Sequence, residues 1–133
     1  YLNTLSIKKR TKRWENWIAN LQSTSRIYVV ECDKKIVGFC HVGASMDKNN
    51  TGEIFSIYID RNYINKGIGT LLMFKGRKFF LKEGFKKATL WVLISNRKAI
   101  NFYKNYGWKT DGKTKIVNKG TFNLKEVRYT INL

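Results

Sequence analysis

The chain has 133 residues, 43% of them apolar and 14% aromatic, with no proline; this suits one domain with a proper core and excludes a disordered or low-complexity chain. Its 26 Lys and Arg against 9 Asp and Glu give a net charge of +17, which favours phosphate-rich partners without naming one, since a Lys-, Asn- and Ile-rich composition alone would give the same balance. Two cysteines, Cys32 and Cys40, and one histidine, His41, exclude a zinc site of the usual spacing, and no apolar run nears the ~20 residues of a membrane span.

In chain order, Ser6 is a candidate cap for an amphipathic helix carrying Trp14, Trp17, Ile18 and Leu21 at helical spacing, with the basic residues Lys8 to Arg13 at its start. Ile27–Cys32 and Ile36–Val42 read as strands joined by the short loop Asp33-Lys34-Lys35. Cys40, inside the second strand, reads as a buried inert thiol, and His41 as a structural histidine or a reserve acid–base group. Met46–Gly52 is a polar loop, and Glu53–Ile59 a central strand.

A helix then carries Ile68, Leu71, Leu72 and Phe79 on one face and ends near Gly84. Ala88–Leu93 is the next strand, and strand–helix–strand at this spacing implies a parallel pair with a right-handed crossover. Ser95-Asn96 caps a helix with Ala99, Ile100, Phe102 and Tyr103, closed by Gly107. Two strands, at Ile116-Val117 and Val127–Leu133, follow around Asn118-Lys119-Gly120. The order describes a mixed α/β fold in a single domain, 1–133.

The stretch Ile64-Asn65-Lys66-Gly67-Ile68-Gly69-Thr70 sits between the central strand and its helix. Gly67 and Gly69 allow a tight turn and close approach to the backbone, and free amides at a helix N-terminus attract phosphate. The pattern is neither a P-loop nor the dinucleotide fingerprint, because the lysine precedes the glycines and a third glycine would fall at Leu72.

Ile59-Asp60-Arg61-Asn62-Tyr63-Ile64-Asn65-Lys66-Gly67-Ile68-Gly69 resembles the acetyl-coenzyme A loop of the GNAT superfamily of N-acetyltransferases. Asn96-Arg97-Lys98-Ala99-Ile100-Asn101-Phe102-Tyr103-Lys104-Asn105-Tyr106-Gly107-Trp108 resembles the same superfamily's later motif, and Glu126-Val127-Arg128-Tyr129 its last strand. The resemblance runs from about Ile27 to the C-terminus and implies a central, mostly antiparallel sheet with one splayed parallel pair and helices on both faces. It also implies that the family's first strand and part of its first helix are missing here. Two positions depart from the family: Ile64 stands where Gln or Arg is frequent, and Asn65 where Gly is frequent. Asn tolerates left-handed backbone geometry, so the loop can keep its shape.

Acetyl transfer from a thioester to an amine needs phosphate anchoring, a neutral amine, oxyanion stabilisation and a proton for the leaving thiolate. The amides of Asn65, Lys66, Gly67, Ile68, Gly69 and Thr70 are expected to anchor the acetyl-coenzyme A diphosphate. A free N–H on Ile57-Tyr58-Ile59 is a candidate for polarising the thioester carbonyl. The resemblance implies that Asn96 holds the coenzyme arm and that Tyr103 is the acid that protonates the thiolate, where the bland alternatives are a helix cap and a core aromatic. Glu53 is the base candidate, directly or through water, or else a surface carboxylate at a strand end.

The expectation is therefore an acetyl-coenzyme A-dependent N-acetyltransferase in a cytoplasmic setting, acting on an amine of a small molecule or a protein, with a homodimer left open and no membrane partner. A non-catalytic acyl-coenzyme A sensor of the same fold and a basic nucleic-acid-binding module are the alternatives; the second leaves the two motifs unexplained. Strongly cationic acceptors are expected to be disfavoured, because few acids stand against the positive field, unless several of those acids gather in one pocket.

Overall fold

A computed structural model describes residues 25–133. The helix expected around Trp14 to Leu21 lies outside these residues.

Strands β1 (Arg26–Cys32) and β2 (Lys35–Ala44) form an antiparallel hairpin. Its turn is shorter than the expected three-residue loop, because Lys35 already pairs with Cys32. Asp33 and Lys34 take φ of 50° and 66°, the two positive values of the hairpin turn whose twist matches that of the strands. Strand β3 (Thr51–Ile59) pairs antiparallel with β2, and the register slips between His41 and Val42 so that Val42 faces Ile54 while His41 faces Ser56. Phe55 is the extra residue of this bulge, which bends β3 and sharpens its twist.

A short 3₁₀ turn, Arg61–Tyr63, leads into helix α1 (Ile68–Lys82). Ile68, Leu72, Met73, Phe79 and Phe80 are buried on its inner side. Gly76 lets the helix approach β2 closely, since a Cβ there would meet Val42 Cγ1 at 3.4 Å. The helix stops as expected at Gly84, whose φ is 85°. The Gly84 amide donates to the Leu81 carbonyl and the Phe85 amide to that of Phe80, with the Phe80 and Phe85 rings in edge contact.

Strand β4 (Lys87–Leu93), helix α2 (Arg97–Asn105), strand β5 (Lys109–Asn118) and strand β6 (Asn123–Asn132) complete the described chain. The sheet order is β1-β2-β3-β4-β6-β5, antiparallel throughout except for the β3/β4 pair. β5 is longer than expected. It is an edge strand exposed almost throughout, so it shows no apolar alternation, and Asp111-Gly112-Lys113 interrupts its register with β6. Gly112 there has φ 84°.

Helix α1 covers the face of the sheet formed by Gly38, Cys40, Val42, Gly52 and Ile54. Among the described residues no helix is long and apolar enough to cross a membrane.

Gly52 marks the tightest contact between helix and sheet: a Cβ there would lie 2.3 Å from the Phe80 ring, itself 1% exposed. Gly52→Ala is expected to cost about 1–3 kcal/mol by overpacking. Denaturant unfolding should show a lower midpoint with an unchanged slope.

Candidate active site

The parallel pairing of β3 and β4 is short. It runs from Thr51↔Lys87 to Ile54↔Leu90 and then stops. Beyond that point each strand keeps only its other neighbour: β3 stays paired to β2 as far as Ile59, and β4 to β6 as far as Leu93. The facing edges part around a cleft of about 900 Å³. Ile57, Tyr58 and Ile59 line it from β3, and Trp91, Val92 and Leu93 from β4. Among the described residues the backbone edge of β3 that faces the cleft has no strand partner there, which leaves polar groups for a guest to satisfy.

At the open end lies the glycine loop. Asn65 and Gly67 have φ of 66° and 83°, so the departure from glycine at position 65 preserves a left-handed residue, as expected. Gly67 caps α1 with no side-chain hydrogen bond, and the first amide after it to bond back to the cap is that of Leu71. The amides of Ile68, Gly69 and Thr70 therefore stand at a helix N-terminus with no capping side chain among the described residues. Gly69 is required for a different reason: a Cβ there would meet the Phe102 ring at 2.9 Å. The Thr70 and Tyr106 hydroxyls are hydrogen-bonded, fastening the start of α1 to the end of α2. Asn65 and Ile64 line the cleft, whereas Lys66, Gly67, Ile68, Gly69 and Thr70, which follow them, do not. Ile64 is 48% exposed.

Helix α2 supplies the remaining wall. The Asn96 side chain accepts from the Ala99 amide at 3.2 Å, capping the helix, and Asn96 also lines the cleft. Tyr103 is 5% exposed, packs on Phe102 and Trp108, and reaches the cleft. Burial, with a smaller contribution from Cys40, pushes its phenol up to about 12. Sequence reasoning missed Lys98, Asn101 and Asn105, which line the cleft from the same helix. Their spacing of three and four residues on one helical face was the available signal.

Glu53 does not line the cleft; the lining of β3 begins at the next residue, Ile54. Its side chain alternates with Gly52 and Ile54 and so lies on the sheet face away from α1. It is 8% exposed. Burial raises its pKa, against the opposing effects of a Ser45 hydrogen bond and of the Lys115 and Arg128 charges. Ser45 also accepts from the amides of Asp47 and Lys48, which shapes the loop before β3.

Around Glu53 this face carries a polar cluster that the sequence did not announce. The Trp91 indole N–H donates to Asp47 Oδ2 at 3.0 Å. Arg128, directly across from Trp91, donates to Asp111 Oδ2 at 2.7 Å. Lys115 stands 3.7 Å from Glu126 Oε1. Asp47, Glu53, Asp111 and Glu126, four of the nine acids in the chain, are therefore linked on this face through Trp91, Lys115 and Arg128. Among the described residues no three acids, histidines or cysteines gather closely enough to hold a metal ion.

His41 lies on the same face with its ring 4.9 Å from that of Phe55. Its buried Nε2 has no hydrogen-bond partner among the described residues, and burial lowers its pKa. Cys40 is fully buried, and burial pushes its thiol up to about 12, which fits an inert core residue.

A mixed sheet whose single parallel pair opens into a cleft, with a bare helix N-terminus at the mouth, is built to take a long ligand with an anionic end. The chain belongs to the acetyltransferase (GNAT) family, whose model matches residues 3–108. It is 33% identical over 107 residues to an uncharacterized N-acetyltransferase of Methanocaldococcus jannaschii, an alignment covering 77% of this chain and 47% of that protein. The chain thus spans about half the length of that relative. Its fold is similar to that of an N-acetyltransferase from Staphylococcus aureus Mu50, with a TM-score of 0.74, 22% identity, and coverage of 88% of this chain and 73% of that one. It is likewise similar to that of the PaiA N-acetyltransferase of Thermoplasma acidophilum, solved with coenzyme A, with a TM-score of 0.68, 21% identity, and coverage of 89% and 68%.

The Arg128–Asp111 pair ties the bulged edge strand to the sheet. Burial would raise the Asp111 pKa, but the Lys113 amide and Arg128 outweigh it and hold it below the ordinary carboxylate range. The pair's stability is therefore present above the unfolded carboxylate pKa of about 4 and is lost as pH falls through the lower folded value. Asp111→Asn should cost about 1–3 kcal/mol near neutral pH by leaving Arg128 without its partner. Unfolding curves across pH should show that difference shrinking in acid, where the native carboxylate is protonated too.

Proposed function

We propose that the chain transfers an acetyl group from acetyl-coenzyme A to a primary amine by direct attack, as family membership leads one to expect. The observation that carries this reading is the unpaired edge of β3 opening onto the cleft, with the uncapped start of α1 at its mouth. The amides of Lys66 to Thr70 take the diphosphate, with the helix dipole favouring its charge. The pantetheine arm lies along β3 as a surrogate strand, meeting the backbone of Ile57, Tyr58 and Ile59, while Asn96 holds it from the α2 side. With Ile64 in place of a longer polar side chain, backbone amides do most of the phosphate binding.

Tyr103 is the acid. A phenol pushed up to about 12 is fully protonated at working pH, so it always offers a hydrogen to the departing sulfur. An ordinary thiol, near ~8.5, is the stronger acid in water, so full proton transfer relies on the dry cleft strengthening the thiolate as a base as well. Glu53 is the base. It stands just behind the cleft lining, so the amine proton reaches it through water, and burial makes its carboxylate a better proton acceptor than an exposed one.

Tyr103→Phe should lower kcat by roughly 10²–10⁴-fold in assays of free thiol release over a panel of amines. The Kd for acetyl-coenzyme A, measured by calorimetry, should move by no more than about threefold; that split separates an acid from a packing residue. Unchanged turnover would remove the acid role. With Glu53 as base, the acidic limb of kcat against pH lies above the ordinary glutamate value of about 4.3, because the folded pKa is raised and activity needs the deprotonated form. Glu53→Gln should abolish that limb, and a limb that persists would assign the base elsewhere.

A further inference from the structure

Lys115 stands on β5 directly opposite Glu126 of β6. Its ammonium lies 4.3 Å from the centre of the Trp91 ring and 3.7 Å from Glu126 Oε1. Trp91 and Glu126 both line the cleft, and the charge of Lys115 reaches Glu53. An aromatic face with a carboxylate beside it is a seat for a cation, and here the chain's own primary amine occupies it.

The seat has a definite place along the cleft. Trp91 follows Leu90, the last residue of β4 that pairs with β3, so it marks the closed end, while Glu126 and Lys115 stand level with Leu93 and the lysine reaches back to the Trp91 ring. The glycine loop follows the far end of β3 and marks the open end. A coenzyme anchored by its diphosphate at the loop points its thioester toward Trp91. Lys98 also lines the cleft, but it enters from α2, which begins beyond the C-terminal end of β4 and therefore near the mouth.

We propose that Lys115 is an internal acceptor and that the protein acetylates it; this rests on the acetyl-transfer reading above. In the step, Lys115 Nζ gives one proton through water to Glu53. Its lone pair attacks the thioester carbonyl carbon, the C–N bond forms, the nitrogen gives up its second proton to water, and the C–S bond breaks. The thiolate takes a proton from Tyr103, which regains one from solvent. The products are N-acetylated Lys115 and free coenzyme A thiol, with no change of oxidation state. The new amide is neutral. It no longer pairs with Glu126 or sits as a cation on Trp91, so Glu126 is released for another amine, while Arg128 stays over the Trp91 ring with its centre 5.7 Å away. With Lys115 acetylated, Glu53 and Glu126 lose a cationic neighbour, which favours a cationic acceptor there despite the net charge of the whole chain.

The test is incubation of the full chain with acetyl-coenzyme A and no added amine, followed by intact-mass measurement and peptide mapping. The expected result is one acetyl group on Lys115, accumulating on the order of tenfold or more faster than on any other lysine, because a positioned nucleophile reacts at a high effective concentration. The rate should saturate with acetyl-coenzyme A and fall in Tyr103→Phe. Lys115→Arg, which keeps a cation over Trp91, should abolish the modification. Acetyl groups spread evenly over the lysines, or a Lys115 rate untouched by Tyr103→Phe, would identify uncatalysed chemistry and overturn the inference. Thiol release to an added amine with Lys115 unmodified overturns it while leaving the transferase reading standing. No acetyl-coenzyme A binding and no thiol release with any amine removes that reading and this inference together.

Discussion

The pairing of β3 with β4 ends after Ile54 and Leu90, and the site depends on that ending. The cause is local. Phe55 is one residue too many for its partner strand, so β3 bends at the point where it would otherwise continue beside β4. Parallel strands closed along their whole length would leave no gap, no free edge and no access from one face of the sheet to the other. The bulge is tolerated because β2 holds β3 on its other side through to Ile59, and Asp60 continues the tether by donating its amide to the Val37 carbonyl.

The two faces of the sheet divide the remaining work. On one, α1 seals the core over Gly38, Gly52 and Ile54, where small residues let aromatic and aliphatic side chains come close. On the other, charged and aromatic groups remain within reach of solvent, and Glu53 there is raised in pKa by burial against the hydrogen bond of Ser45. The opening joins the two environments. The core side supplies a dry phenol in Tyr103, and the polar side supplies a carboxylate with raised proton affinity. Tyr103 lines the cleft, whereas Glu53 stands on the other face of the sheet beside Ile54, where the lining of β3 begins.

Much of this was legible in the chain. Glycines 67, 84 and 107 all adopt positive φ where a turn or helix end was expected. Asn96 caps its helix, and the strand–helix–strand order gave the parallel pair. These are signals carried by a few neighbouring residues. What could not be read was set by distant partners or by exposure. β5 was reduced to Ile116-Val117 because an edge strand with both faces wet has no reason to alternate. The cluster around Trp91 draws on a loop and on strands β3 to β6, so no window of sequence contains it. Glu53 was correctly placed on the central strand, yet its position just outside the cleft lining depends on which way the pleat turns at Ile54.

The parted edge of β3 also has a consequence for how the protein endures. A sheet with a wedge of unsatisfied backbone is an incomplete structure, and a guest that fills the wedge completes it. Any ligand that binds only the folded chain adds RT ln(1 + [L]/Kd) to its stability, about 2.7 kcal/mol when present at 100 times its Kd. With an acyl donor as that guest, the survival of the protein against heat and proteases would follow the supply of the donor. Scarcity would then thin the population of molecules as well as idle them.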